Sequence, residues 1–360
     1  MRMRCAASLL GQSVAIMTVV AVLGPTIAQG QATPRQSRWD PHYEPPRTAA
    51  GYPDLQGNWT NVTLTPFQRA EGQEPLYSWD EVDQLEGRAV SLEEQASRPS
   101  DPDRGLPPIA PTDQRGGAGG GTGGYNSVYI DRGTNVAIVD GEPRTSLVTN
   151  PPNGRVPPVT PEGRRRQGVA RQARAGYAAY DHPELRPLGE RCIVSFGTSI
   201  GPPMLPNGFY NNNYTIVQND DHVIIMAEMV HDYRVIRIGE RTPTPDHITP
   251  YFGDAWGHWE GNTLVVETTN INPDYPFRGV PASPETKVHE RFTRVDDDTV
   301  LYEFTIDDPA YEQPWGGEIP FERLDDLVFE YACHEGNYAL TNILSGARYQ
   351  ESLTPNSGRE

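Results

Sequence analysis

From residue 191 onward the chain is a succession of short β-forming runs divided by turn signals, and this constrains the fold more than any other feature. The runs are 192–196, 214–218, 222–229, 233–238, 255–260, 263–269, 288–295, 299–306 and 327–333. Asn219-Asp220-Asp221, Glu260-Gly261-Asn262 and Asp296-Asp297-Asp298 supply the residues that tight hairpin turns require. The stretch TVLYEFTI alternates apolar and polar side chains, as a strand with one buried face must. Strands linked mostly by hairpins form a meander with two open edges, and open edges invite aggregation. The sheet therefore closes or pairs. The expectation is a mainly β protein: an antiparallel, lipocalin- or calycin-like barrel with long Pro/Gly-rich insertions and one or two short helices.

The rest of the chain is organised around that meander. Residues 1–28 read as a signal peptide: Arg2 and Arg4, an apolar run from Leu9 to Leu23, and small residues up to Ala28. An extended arm follows over 29–52. A single β-rich domain spans 53–350, with a first strand at 54–63, an insertion at 64–190 and the meander at 191–350; a tail covers 351–360. Proline and glycine number 35 each, which favours turns over long helices. Within the insertion, Ser78 with Glu81 is a capping box ahead of a helix whose modest apolar face holds Val82, Leu85, Val90 and Leu92. Thr160-Pro161 starts a second helix through EGRRRQGVARQARAGYAAY. Its arginines read as a solvated face rather than an anion site.

Cys5 leaves with the signal segment, so Cys192 and Cys333 remain. Two cysteines in an exported chain predict one disulfide. It closes a loop of roughly 140 residues, for which chain entropy gives about 4–5 kcal/mol. Export places the protein in the periplasm or outside the cell, with no membrane anchor after cleavage. The net charge is −18 and the signal segment carries only arginines, so the mature chain is more acidic still. Nucleic acid and anionic membranes need basic surface, which excludes both as partners.

Chemistry-bearing residues concentrate on the expected strands. In MAEMVHDYRVIRI, a continuous strand puts Glu228, Asp232 and Arg234 on one face and His231 and Tyr233 on the other. Two readings stand open. Glu228 or Asp232 forms an internal ion pair with Arg234 beside a core histidine, since buried charges must be paired. Alternatively, the barrel interior is a polar pocket in which His231 moves a proton, Glu228 or Asp232 partners it, and Arg234 stabilises developing negative charge. In GDAWGHWEGNTLVVETT, Trp256, His258 and Glu260 share a strand face, a candidate pocket wall. VHERF offers His289 and Arg291 on one face with Glu290 opposite. His334 and Glu335 follow Cys333 at a strand tip near the mouth. The histidine spacing matches no metal motif, so no metal and no cofactor are expected. Gly197-Thr198-Ser199-Ile200-Gly201 matches the hydrolase elbow, but Pro202-Pro203 disfavour the helix that must follow the nucleophile.

Two resemblances add to this. Gly57-Asn58-Trp59 resembles the Gly-x-Trp signature on the first strand of lipocalin-type barrels. It implies that Trp59 plugs the barrel base and that an arginine near the C-terminus, Arg348, stacks on it. The segments EMVHDYRVIRI, WEGNTLVVETTN and EYACHEGNYAL together resemble a widespread, uncharacterised group of exported bacterial proteins. That likeness implies export and no particular reaction. The leading functional expectation is a pocket for a small organic ligand, apolar, aromatic or sugar-derived. Its chemistry would be cofactor-free acid–base catalysis of the lyase, isomerase or hydratase type, using Glu228, His231, Asp232 and Arg234. Tyr233, Trp256, His258, His289, Arg291, His334 and Glu335 would contact the ligand. The alternatives are a non-catalytic carrier, an envelope structural module and a serine hydrolase at Ser199.

Overall fold

The computed structural model describes residues 39–96, 103, 131–195, 199–207 and 211–353. Residues 1–28, residues 104–130 and the last residues of the tail lie outside them.

Nine strands close into a barrel in the order β1 (Gly57–Thr60), β5 (Asn213–Gln218), β6 (His222–Ala227), β7 (Tyr233–Ile238), β8 (Asp254–Glu260), β9 (Thr263–Thr269), β10 (Lys287–Arg294), β11 (Thr299–Asp307) and β12 (Trp315–Arg323). β1 pairs with both β5 and β12, which completes the ring. All pairings around it are antiparallel except β7–β8, which is parallel. Residues 239–253 make that crossover, since parallel neighbours cannot share a hairpin. The remaining short strands, β2 (Ile138–Val139), β3 (Glu142–Pro143) and β4 (Val148–Asn150), belong to the insertion.

β12 serves two partners along one edge. Its start pairs with β4 through Gly316 and Gly317, and its end pairs with β1 through Glu322 and Arg323. A Cβ on Gly316 would collide with the Phe304 carbonyl oxygen, and one on Gly317 with that of Leu147. Only glycine lets the backbones approach this closely.

The expected strand at 192–196 is instead turn and irregular chain over its described part, and 327–333 has no regular structure. The strand that completes the meander is β12. The helices are α1 (Trp79–Ala96), α2 (Pro161–Gln172) and α3 (Ala339–Leu353), one more than expected. The capping box of α1 forms, with Ser78 and Glu81 bonded reciprocally. Its apolar face is only partly used: Val82 is buried, but Leu85, Val90 and Leu92 are exposed. Thr160 caps α2, accepting from the Gly163 N–H. Arg166 on α2 departs from the solvated face: it is buried and donates to Asp308 Oδ1 at 2.8 Å, while Thr286 donates to Asp308 Oδ2 at 2.6 Å.

The barrel has two unlike ends. Tight turns at 219–221, 261–262 and 295–298 close one end, and the long connections β1–β5 and β9–β10 leave from the other. Trp59 is wholly buried, donates its indole N–H to the Leu55 carbonyl at 3.0 Å, and lies beneath a guanidinium. The arginine is Arg294, with its charge centre 5.7 Å from the ring centroid. Arg348 sits on α3 and pairs with Glu351 and Asp181 instead. Inward residues of successive strands fill the interior: Tyr214, Ile225, Phe292, Tyr302 and Phe321 are fully buried. The interior is thus a packed core, as small barrels are.

The opposite end is plugged by the chain itself. Ile200 and Met204 are fully buried. The Ser199 carbonyl accepts from Tyr214 at 2.8 Å, and the Met204 N–H donates to the Tyr302 hydroxyl at 2.9 Å.

Candidate functional site

Beside this plug, the β6–β7 connection forms a single 3-10 turn, Met229–His231, in which Val230 and His231 adopt positive φ. The continuous strand expected through MAEMVHDYRVIRI (226–238) is broken there, and the break separates the four catalytic candidates.

Arg234 points inward and is 2 % exposed. Its partner is neither Glu228 nor Asp232 but Glu290 on β10, which it meets with two parallel hydrogen bonds of 2.8 and 2.5 Å. The Tyr302 hydroxyl donates to Glu290 Oε1 at 2.9 Å, and the Ile200 carbonyl accepts from Arg234 at 3.3 Å. The pair ties three strands and the plug together. Glu228 is also occupied: Asn213 donates to one carboxylate oxygen at 2.8 Å and the Phe329 N–H to the other at 3.2 Å. That contact anchors the segment leading to α3.

Asp232 is different. It is 9 % exposed, and its carboxylate makes one hydrogen bond to a described residue, accepting from the Ser195 N–H at 3.0 Å. Burial pushes its carboxyl up to about 7, opposed by that N–H and by His231. The neighbouring Tyr275 phenol is pushed up by its own burial and then by the Asp232 charge, with Arg234 opposing.

Asp232 lines a groove of about 580 Å³ together with His231, Tyr233, Arg237 and Tyr251. His231 is exposed; its Nδ1 lies 2.9 Å from the Tyr331 carbonyl. Arg237 stacks on Trp256 at 4.5 Å and pairs with Asp254. Cys192 forms another part of the wall and is bonded to Cys333, with 5.7 Å between their Cα atoms. The structure therefore gathers His231, Asp232 and Tyr233, with Arg234 behind them. It does not gather the other candidates.

Comparison with protein-family models, curated proteins and solved structures returned no match. The site is read on its own geometry.

Trp256, His258, His289 and Arg291 lie on the outer wall of the barrel, across β8, β9 and β10. There they form a surface ladder: His258 with Glu260 at 3.2 Å, Arg291 with Glu260 at 3.0 Å, and His289 with Glu267 at 3.9 Å. These are exposed pairs of small energetic weight. His334 and Glu335 are exposed in the turn after Cys333. Ser199 is fully buried, its hydroxyl has no hydrogen-bond partner among the described residues, and no helix follows it. The elbow geometry is missing. No group of three His, Cys, Asp or Glu side chains among the described residues is placed to hold a metal ion.

The sequence reading missed Glu290 and the groove-lining Tyr251 and Phe252. Glu290 had a signal. In KVHERFTR it shares the alternation phase of Val288 and Phe292, so the strand points it inward. A carboxylate at an inward position needs a cation, and Arg234 is another charge on an inward phase.

Proposed function

We propose that the groove at the β6–β7 turn is a small-molecule site in which Asp232 takes up and returns a proton. The observation that carries this is a buried carboxylate, bonded once to the described protein, facing an open groove of about 580 Å³. A carboxyl that titrates near 7 is matched to acid–base work at neutral pH. His231 flanks it as a second proton-carrying group, and Tyr233 and Tyr251 offer aromatic faces to an organic ligand. Arg234 acts by holding the strand in place, because Glu290, Thr268 and the Ile200 carbonyl engage its terminal N–H groups. The chemistry is proton transfer on a small organic substrate, of the lyase, isomerase or hydratase class.

An exported setting supports the same reading. The described residues contain no helix long and apolar enough to cross a membrane, and the Cys192–Cys333 bond is of the kind that persists in oxidising compartments. We infer that the chain works in the periplasm or outside the cell.

The test is native mass spectrometry of the oxidised protein isolated from the periplasm of an expressing bacterium, for wild type and Asp232→Asn. A co-purifying small organic molecule, held by wild type with an affinity that changes between pH 6 and pH 8 and lost from D232N, is the expected result. Equal, pH-independent retention in both proteins, or no retained molecule, sinks the reading.

A further inference from the structure

A second cleft, of about 670 Å³, opens on the other side of the strip 192–195. Cys192 and Ile193 face the Asp232 groove, while Val194 and Ser195 line this cleft. Its walls are apolar and aromatic, formed by Phe67, Leu205, Tyr275 and Phe277 among others. That size and lining suit an organic ligand with a few orienting polar groups.

Most of its charged groups are cationic. Arg174, Arg186 and Arg278 line the cleft. Arg186 is committed to Glu190 through two 2.9 Å hydrogen bonds. Arg174 and Arg278 have no carboxylate partner among the described residues, and Arg278 rests its guanidinium over the Phe67 ring at 4.9 Å. Asp274, which is exposed, is the one carboxylate among the described lining residues. In a chain of net charge −18, a cleft with two uncompensated guanidiniums runs against the overall sign. Ser195 supplies an independent observation. It is 4 % exposed, it lines the cleft, and its hydroxyl has no hydrogen-bond partner among the described residues. Buried hydroxyls normally find a partner.

We propose that this cleft binds a small organic anion with an aromatic body. Arg174 and Arg278 take the carboxylate, since a guanidinium matches it with paired donors. The ring lies against Phe67, Phe277 and Leu205. The Ser195 hydroxyl meets a polar group at the buried end.

Isothermal titration of the full chain with 2-naphthoate, its uncharged amide and inorganic phosphate tests this. Naphthoate binds saturably, weakens with added salt, and loses about tenfold in affinity in Arg278→Asn and in Arg174→Gln, as loss of a charge-assisted hydrogen bond implies. Arg291→Gln on the outer wall leaves binding unchanged. Three results overturn the proposal: no saturable naphthoate binding, amide or phosphate binding as tightly as naphthoate, or equal affinity in the arginine variants. Loss of binding in D232N alone would move the ligand to the neighbouring groove and overturn it too. Both arginines are exposed, so their replacement leaves the core intact.

Discussion

Arg234 and Glu290 satisfy one another where almost no water reaches either of them. Removing both charges from water costs several kcal/mol per ion, and their mutual attraction repays this only because the geometry is bidentate and Tyr302 adds a third bond. Cutting one partner leaves the other charge buried and alone. Arg234→Met and Glu290→Leu should therefore each destabilise the fold by roughly 3–5 kcal/mol. The apolar double variant Arg234→Met/Glu290→Leu should cost less than either single change, since no orphaned charge remains. Denaturant titration of the four proteins measures this. Simple additivity of the two single losses would mean that the pair is not coupled. The charge at 234 was legible from the chain, and the inward phase of Glu290 was too, but their pairing was not. Sequence distance favoured Glu228 and Asp232, six and two residues away. Strand register favoured Glu290, because β7 and β10 both turn that phase into the same interior.

At the scale of elements, what the sequence revealed depended on how plainly each segment showed a buried face. The bounds of β7 and β9 are those expected from alternation, residue for residue. β12 hid because WGGEIPFER carries Gly316, Gly317 and Pro320, which read as a turn. Its glycines are there for close backbone approach, Gly316 to Phe304 on β11 and Gly317 to Leu147 beside β4, a requirement invisible without those neighbours. α3 hid for the opposite reason: it buries no residue, so no core-facing stripe announces it. The segment 327–353 is held by a handful of contacts. They include the Cys192–Cys333 bond, the Phe329 N–H on Glu228, and Arg348 against the Tyr180 carbonyl and Asp181. Opening the disulfide should release this segment before the barrel. In Cys333→Ser, limited proteolysis should cut first within 324–338 while the β signal in circular dichroism persists. The loss of global stability should stay below the roughly 4–5 kcal/mol that chain entropy assigns to a 141-residue separation, because the freed segment regains entropy in the folded state. Cooperative loss of the barrel on reduction would show instead that the segment is integral to it.

For the molecule as a whole, two effects push stability the same way with pH and can be separated by salt. The net charge of −18 makes the folded chain repel itself at pH 8, and the repulsion fades toward the isoelectric point near 4.9. Asp232 adds a local effect. Its carboxyl keeps a proton up to about pH 7 when folded, against an ordinary value of 3.8. Between those limits the folded state binds the extra proton, so stability is greatest below the lower one. It falls as pH rises through the window and carries the full penalty above 7. Added salt screens the first effect, because at about 1 M the screening length shrinks to roughly 3 Å. It leaves the second largely untouched, because a buried group is screened little. In high salt the wild-type melting temperature should still drop from pH 5.5 to pH 8, and D232N should lose most of that drop. D232N should also melt a few degrees above wild type, about what one kcal/mol gives a domain of this size, at pH 8 and not at pH 5. Parallel pH profiles for the two proteins in high salt would mean that Asp232 titrates like an exposed carboxylate. The groove would then keep its shape and lose the proton chemistry proposed for it.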